Sequence, residues 1–159
     1  MDDQQNWVKI TLDFDAPIET VWAMWTDPAL FKTWYGPMGM HVPTAEMDVT
    51  VGGTRKICMA APDRDMQMWF TGVYKEINRP TRLVYTESMC DANGVILSPE
   101  QMGMPPGQPQ ITEVIVALQE QDGKTRMTMV HAGVPEGTAG EKGWAQALDG
   151  LGRALQGAA

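Results

Sequence analysis

The sequence predicts an α+β fold, an antiparallel meander of strands closed by one long helix. Three observations carry this. Near the N-terminus Val8, Ile10, Leu12 and Phe14 alternate with Lys9, Thr11 and Asp13, the period of a strand with one buried face. The middle of the chain is divided by tight-turn residues into four successive strand-like runs. Towards the C-terminus the period changes: Trp144, Leu148, Leu151 and Leu155 recur at helical spacing beside Ala147 and Ala154.

After the first strand, Pro17 suits a first helical position and Glu19 an acidic first turn, while Val21, Trp22 and Trp25 share one face. Asp27-Pro28 supplies a second N-cap with proline behind it, which predicts a short helix over 29–34. Strands are expected at 44–51, 54–61, 65–78 and 81–90, separated by Gly52-Gly53, Pro62-Asp63 and Asn78-Arg79-Pro80. The stretch 91–109 is rich in glycine and proline, and structureless loops of that length are uncommon unless functional, so it is read as a lid. Strands resume at 110–120 and 124–132 around Asp122-Gly123, a strong hairpin dipeptide. In the closing helix Gly150 and Gly152 each cost about 1 kcal/mol relative to alanine, which marks a place of close approach. A twisted sheet curling around such a helix leaves a space between them, and function is expected there.

At 159 residues the chain is expected to form a single domain, burying roughly 70% of its unfolded surface. Apolar residues at 43% and charged residues at 20% are globular values. The net charge of −8, with basic residues scattered, argues against nucleic acid as a partner. The segment MDDQQNW lacks the features of a signal peptide and no run approaches a membrane span, so the protein is read as cytoplasmic. In that reducing setting Cys58 and Cys90 are read as small buried hydrophobes. No metal-site spacing, phosphate loop or nucleophile elbow is present, and no cofactor is expected.

The segment WYGPMGMHV, starting at Trp34, is loop-like in its glycines and proline yet strongly apolar. Methionine is over-used, with thirteen residues against three phenylalanines. Met66 and Met68 share a strand face with Phe70 and Tyr74, Met127 and Met129 share one with His131, and Met59 shares one with Ile57. Unbranched, polarizable methionine suits an adaptable ligand wall and equally an irregular core. His131 and His41 are candidate acid–base groups or satisfied structural histidines. Glu113, between Ile111 and Ile115, and Glu87, on a face with Tyr85 and Met89, are carboxylates that burial in an apolar cavity would make weaker acids; a solvated position is the alternative for Glu113.

The succession TVWAMWTDPALFKTWYGP, DVTVGGTRKICM, TGVYKEINRPTRLVYT and KGWAQALDGLGRAL resembles the SRPBCC (START-like) superfamily, and within it the family of activators of the heat-shock protein 90 ATPase. The resemblance runs from about Val8 to Leu155. It implies a helix-grip fold, a curved antiparallel sheet wrapped around the C-terminal helix with an apolar pocket between them. It places Trp34, Met38 and Met40 at the pocket mouth. From their strand faces Met59, Met68, Phe70, Tyr74, Met127, Met129 and His131, with Trp144 of the closing helix, are read as candidate pocket lining, with filling of the core as the alternative. Where the family often has arginine before the double glycine, this chain has Thr50. Chaperone activators resemble the chain only in their C-terminal half. Three functions follow as expectations: binding of a hydrophobic or amphipathic small molecule without catalysis, regulation of a chaperone ATPase in a stress response, or a cyclase- or hydrolase-like enzyme using His131 or Glu113. Related domains also pair as homodimers through sheet edges or the long helix.

Overall fold

The structure is a computed structural model and describes residues 6–36, 40–61, 66–98, 100–101 and 109–158. The chain runs β1 (Trp7–Phe14), α1 (Ile18–Thr26), α2 (Pro28–Phe31), β2 (His41–Met47), β3 (Thr54–Ala61), β4 (Met66–Asn78), β5 (Arg82–Cys90), β6 (Thr112–Gln121), β7 (Lys124–Pro135) and α3 (Ala139–Ala158). The strands form one seven-stranded sheet in the order β1-β7-β6-β5-β4-β3-β2, every neighbouring pair antiparallel. The N-terminal strand thus pairs with the last one, and the rest is a meander. This is the α+β helix-grip architecture expected from the sequence.

Local chemistry accounts for most element ends. Asp27 caps α2 by accepting the Ala29 N–H at 2.9 Å, with Pro28 at the first helical position. Glu141 in the first turn of α3 accepts the Gly137 N–H. The β6–β7 hairpin turns at Asp122 and Gly123, both with positive φ. Several boundaries differ from the sequence expectation, among them the ends of β2 at Met47 and of β7 at Pro135, and two have a cause in the hydrogen bonding. α2 stops at Phe31, because Thr33 and Trp34 donate to carbonyls only three residues back. β2 begins at His41, its register shifting between His41 and Thr44 around Pro43, which donates no hydrogen bond.

The core lies between the sheet and the helices. β7 turns Thr125, Met127, Met129 and His131 inward, β6 turns Val114, Val116 and Leu118, and α3 meets them with Trp144, Ala147, Leu148, Leu151 and Leu155. Gly150 of α3 faces the Trp34 backbone, where an added Cβ would lie 3.4 Å from its carbonyl oxygen, whereas at Gly152 the nearest atom is a ring carbon of Phe14 at 3.7 Å. The close approach expected of both glycines is therefore modest at the first and ordinary van der Waals contact at the second. Of the stretch 91–109, Asp91 caps a turn by accepting the N–H groups of Asn93 and Val95, and Ile96 bridges back to Cys90. Of its remainder, Pro99 and 102–108 lie outside the described residues, and with them the reading as a lid. Cys58 and Cys90 are free and buried. Among the described residues no helix is long and apolar enough to cross a membrane.

Candidate functional site

A cavity of about 240 Å³ lies between α3 and the inner faces of β3, β4, β5 and β7. Its walls are Met59, Met68, Phe70, Val134, Trp144 and Ala147, together with Tyr35, Gly36, Ala139, Gly140 and Gly143. A carboxylate and an imidazole join this lining, Glu87 and His131. The period of two brings them in. Glu87 stands opposite Thr112, and His131 opposite Val114 on one side and Val8 on the other, so all face inward together.

His131 has both ring nitrogens occupied. The Trp144 indole Nε1–H donates to Nδ1 at 2.8 Å, and Nε2 lies 2.7 Å from Thr112 Oγ1. Thr112 spends its own proton on the Glu87 carbonyl at 2.8 Å, so the His131 Nε2–H must be the donor to Thr112. These bonds assign the neutral Nε2–H tautomer. Burial holds the imidazole pKa below its usual value, against a smaller upward pull from Glu87. A second proton at Nδ1 would point at an indole N–H.

Glu87 anchors a second network. Its Oε2 accepts the Tyr35 hydroxyl at 3.0 Å, and the Tyr85 hydroxyl lies 3.2 Å from that of Tyr35. Tyr35 has one proton and gives it to Glu87, so Tyr85 donates to Tyr35. Desolvation, with the Glu87 charge next, pushes the Tyr35 pKa well above ordinary tyrosine, and this phenol stays a donor. Arg55, only 1% exposed, supplies the countercharge: Nη1 lies 3.6 Å from Glu87 Oε2, Nε donates to the Tyr74 hydroxyl, and the guanidinium carbon sits 3.8 Å from the Tyr85 ring centroid. A buried carboxylate is thus charge-balanced from behind and meets the cavity in front.

The segment 34–36 is apolar because its two aromatic residues complete an aromatic cluster. Trp34 donates Nε1–H to the Met24 carbonyl at 2.8 Å and packs edge-to-face on Trp25, Phe31 and Tyr35. Trp25 stacks on Trp144, and Tyr35 meets Trp144 edge-on. Tyr35 and Gly36 reach the cavity wall, while Trp34 sits behind them in the core.

Of the residues expected at the pocket, Met59, Met68, Phe70, His131 and Trp144 come together around the cavity. Met127 and Met129 share the inward face with His131 but are fully covered in the core, and Tyr74 is buried beside Arg55. Met40 is half-buried against the core next to Gly36. Met38 lies outside the described residues, as does the Met66 side chain. Glu113 alternates to the outer sheet face, where it pairs with Lys75. His41 is exposed at the start of the edge strand β2. Among the described residues no cluster of His, Cys, Asp or Glu is placed to hold a metal ion. Sequence reasoning missed Arg55 and the role of Tyr35; the double aromatic in the WYGP loop was the available signal for Tyr35.

A family model described as Activator of Hsp90 ATPase homolog 1-like protein matches residues 15–156. The chain belongs to that family. Solved structures agree over nearly the whole length. An X-ray structure of a protein from Chromobacterium violaceum is 25% identical, with 93% of this chain and 96% of that one covered and a TM-score of 0.74. The solution structure of an AHSA1-like protein from Aeromonas hydrophila is 26% identical, covering 94% and 93%, with a TM-score of 0.70. A crystal structure of the AHSA1 protein from Silicibacter pomeroyi, 21% identical, covers 93% and 97% at a TM-score of 0.71 and shares the fold. No curated protein matches the sequence. Membership of this family supports a ligand-binding or regulatory role in general.

Proposed function

We propose that this protein binds a small, largely apolar molecule, without transforming it, in the cavity between the sheet and α3. The observation that carries the reading is the cavity itself, about 240 Å³ walled by methionine, aromatic and aliphatic side chains with few polar groups. Its volume lies below the usual range for drug-sized sites, which points to a ligand of one or two rings or a short chain. The two methionines in the wall allow it to adapt to ligands of different outline. The hydrogen bonds of His131 and the outward position of Glu113 favour binding over catalysis by either residue.

The test is thermal unfolding of the protein with a set of mono- and bicyclic hydrocarbons. A ligand present at 100 times its Kd stabilises the native state by about 2.7 kcal/mol. A concentration-dependent rise in Tm, abolished when Ala147→Leu fills the cavity, is expected. No rise with any compound overturns the reading.

The family description favours a second reading, regulation of an Hsp90-type ATPase through the protein surface. Stimulation of such a chaperone's ATPase at saturating protein supports it, and unchanged turnover rejects it.

A further inference from the structure

We propose that the cavity selects apolar ligands carrying one neutral hydrogen-bond donor, such as a phenol or alcohol hydroxyl, and seats that donor on Oε1 of Glu87. The inference rests on the binding function proposed above and specifies its ligand class.

Among the described residues, the polar side chains at the cavity wall leave one carboxylate oxygen without a partner. The Trp144 N–H is given to His131, the His131 Nε2–H to Thr112, and the Tyr35 O–H to Glu87 Oε2. Among the described residues every side-chain donor at the wall is spent. Glu87 is different: Oε2 takes Tyr35 and faces Arg55, while Oε1 accepts no hydrogen bond from any described residue. Nor is Oε1 sealed away, since the buried and unpartnered side-chain polar atoms among the described residues are Trp25 Nε1 and Arg55 Nη1. A carboxylate oxygen has two lone-pair sites, and in an apolar cavity an unused one is costly.

Charge decides between donors. An anionic ligand would meet the Glu87 carboxylate, and no described side chain at the wall has a free donor to offset that repulsion. An acceptor such as an ether or ketone finds no unspent side-chain donor among the described wall residues. An ammonium would lose its hydration for a carboxylate that Arg55 already balances at 3.6 Å. A neutral O–H pays the smallest desolvation cost and makes a charge-assisted bond.

Four probes of one skeleton test this: naphthalene, 2-methoxynaphthalene, 2-naphthol and 2-naphthoate, titrated at pH 7 and followed by tryptophan fluorescence. The proposal requires 2-naphthol to bind about tenfold or more tightly than naphthalene or its methyl ether, with 2-naphthoate weakest. In Glu87→Gln, whose amide oxygen is an uncharged acceptor, the advantage of the naphthol shrinks to a few-fold. Equal binding of 2-naphthol and 2-methoxynaphthalene, or an undiminished preference in folded Glu87→Gln, overturns the proposal and leaves apolar binding standing. Absence of binding by all four removes the binding function itself.

Discussion

His131 titrates in a setting that fixes the direction of its effect. Its native pKa is lowered, mainly by burial, so below the unfolded value of about 6.5 the unfolded chain binds more protons than the native one. The stability it contributes is complete above that value and is lost as pH falls through it towards the lower native pKa. Denaturant unfolding at a series of pH values between 7 and 5 should show this decline, and His131→Gln should flatten it. Trp144→Phe removes the donor to Nδ1 and should cost at least about 1 kcal/mol while raising the imidazole pKa, read by NMR titration of the ring protons. Arg55→Met should cost about 3–5 kcal/mol by leaving Glu87 buried without its countercharge, and Arg55→Met combined with Glu87→Gln should recover part of that loss in denaturant melts. The shared face of Met127, Met129 and His131 was legible from strand alternation. The orientation of Glu113 was not, because alternation gives two faces and only pairing with neighbours says which is inside. Arg55 was invisible for the same reason: beside Lys56 it reads as one more surface cation until β3 is set against β4 and β5.

At the scale of elements, the order of strands and helices followed from turn chemistry and periodicity, since Gly52-Gly53, Asp122-Gly123 and Asp27-Pro28 act locally. Ends set by distant contacts did not, as β2 shows. Its early start depends on pairing of His41 with Ala60 across a register shift. Glycines separate the two cases. Gly72 in β4 sits so near β5 that an added Cβ would lie 1.8 Å from the Thr86 carbonyl oxygen, so Gly72→Ala should destabilise by about 3 kcal/mol or more. Gly152 in α3 has room for a methyl group against Phe14, and Gly152→Ala should stabilise by about 0.5–1 kcal/mol. Chemical denaturation of the two variants gives opposite signs if these contacts are right.

For the whole molecule, one sheet and the helices packed on it enclose both an aromatic core and a cavity, and some residues serve both. Trp144 covers the core cluster with one part of its surface and lines the cavity with another. Composition announced an apolar interior with unusual methionine content. Which methionines face the cavity and which fill the core is a property of the assembled sheet, beyond the reach of sequence spacing. That division supplies the most direct test. With methionine methyl groups labelled by carbon-13, naphthalene is titrated into the protein and the methyl resonances are followed by NMR. Saturable shifts at Met59 and Met68, with Met127 and Met129 little changed, are the predicted result. Unmoved resonances at every methionine up to the solubility of naphthalene, or shifts as large at Met127 and Met129 as at the cavity pair, would contradict a ligand site between the sheet and α3.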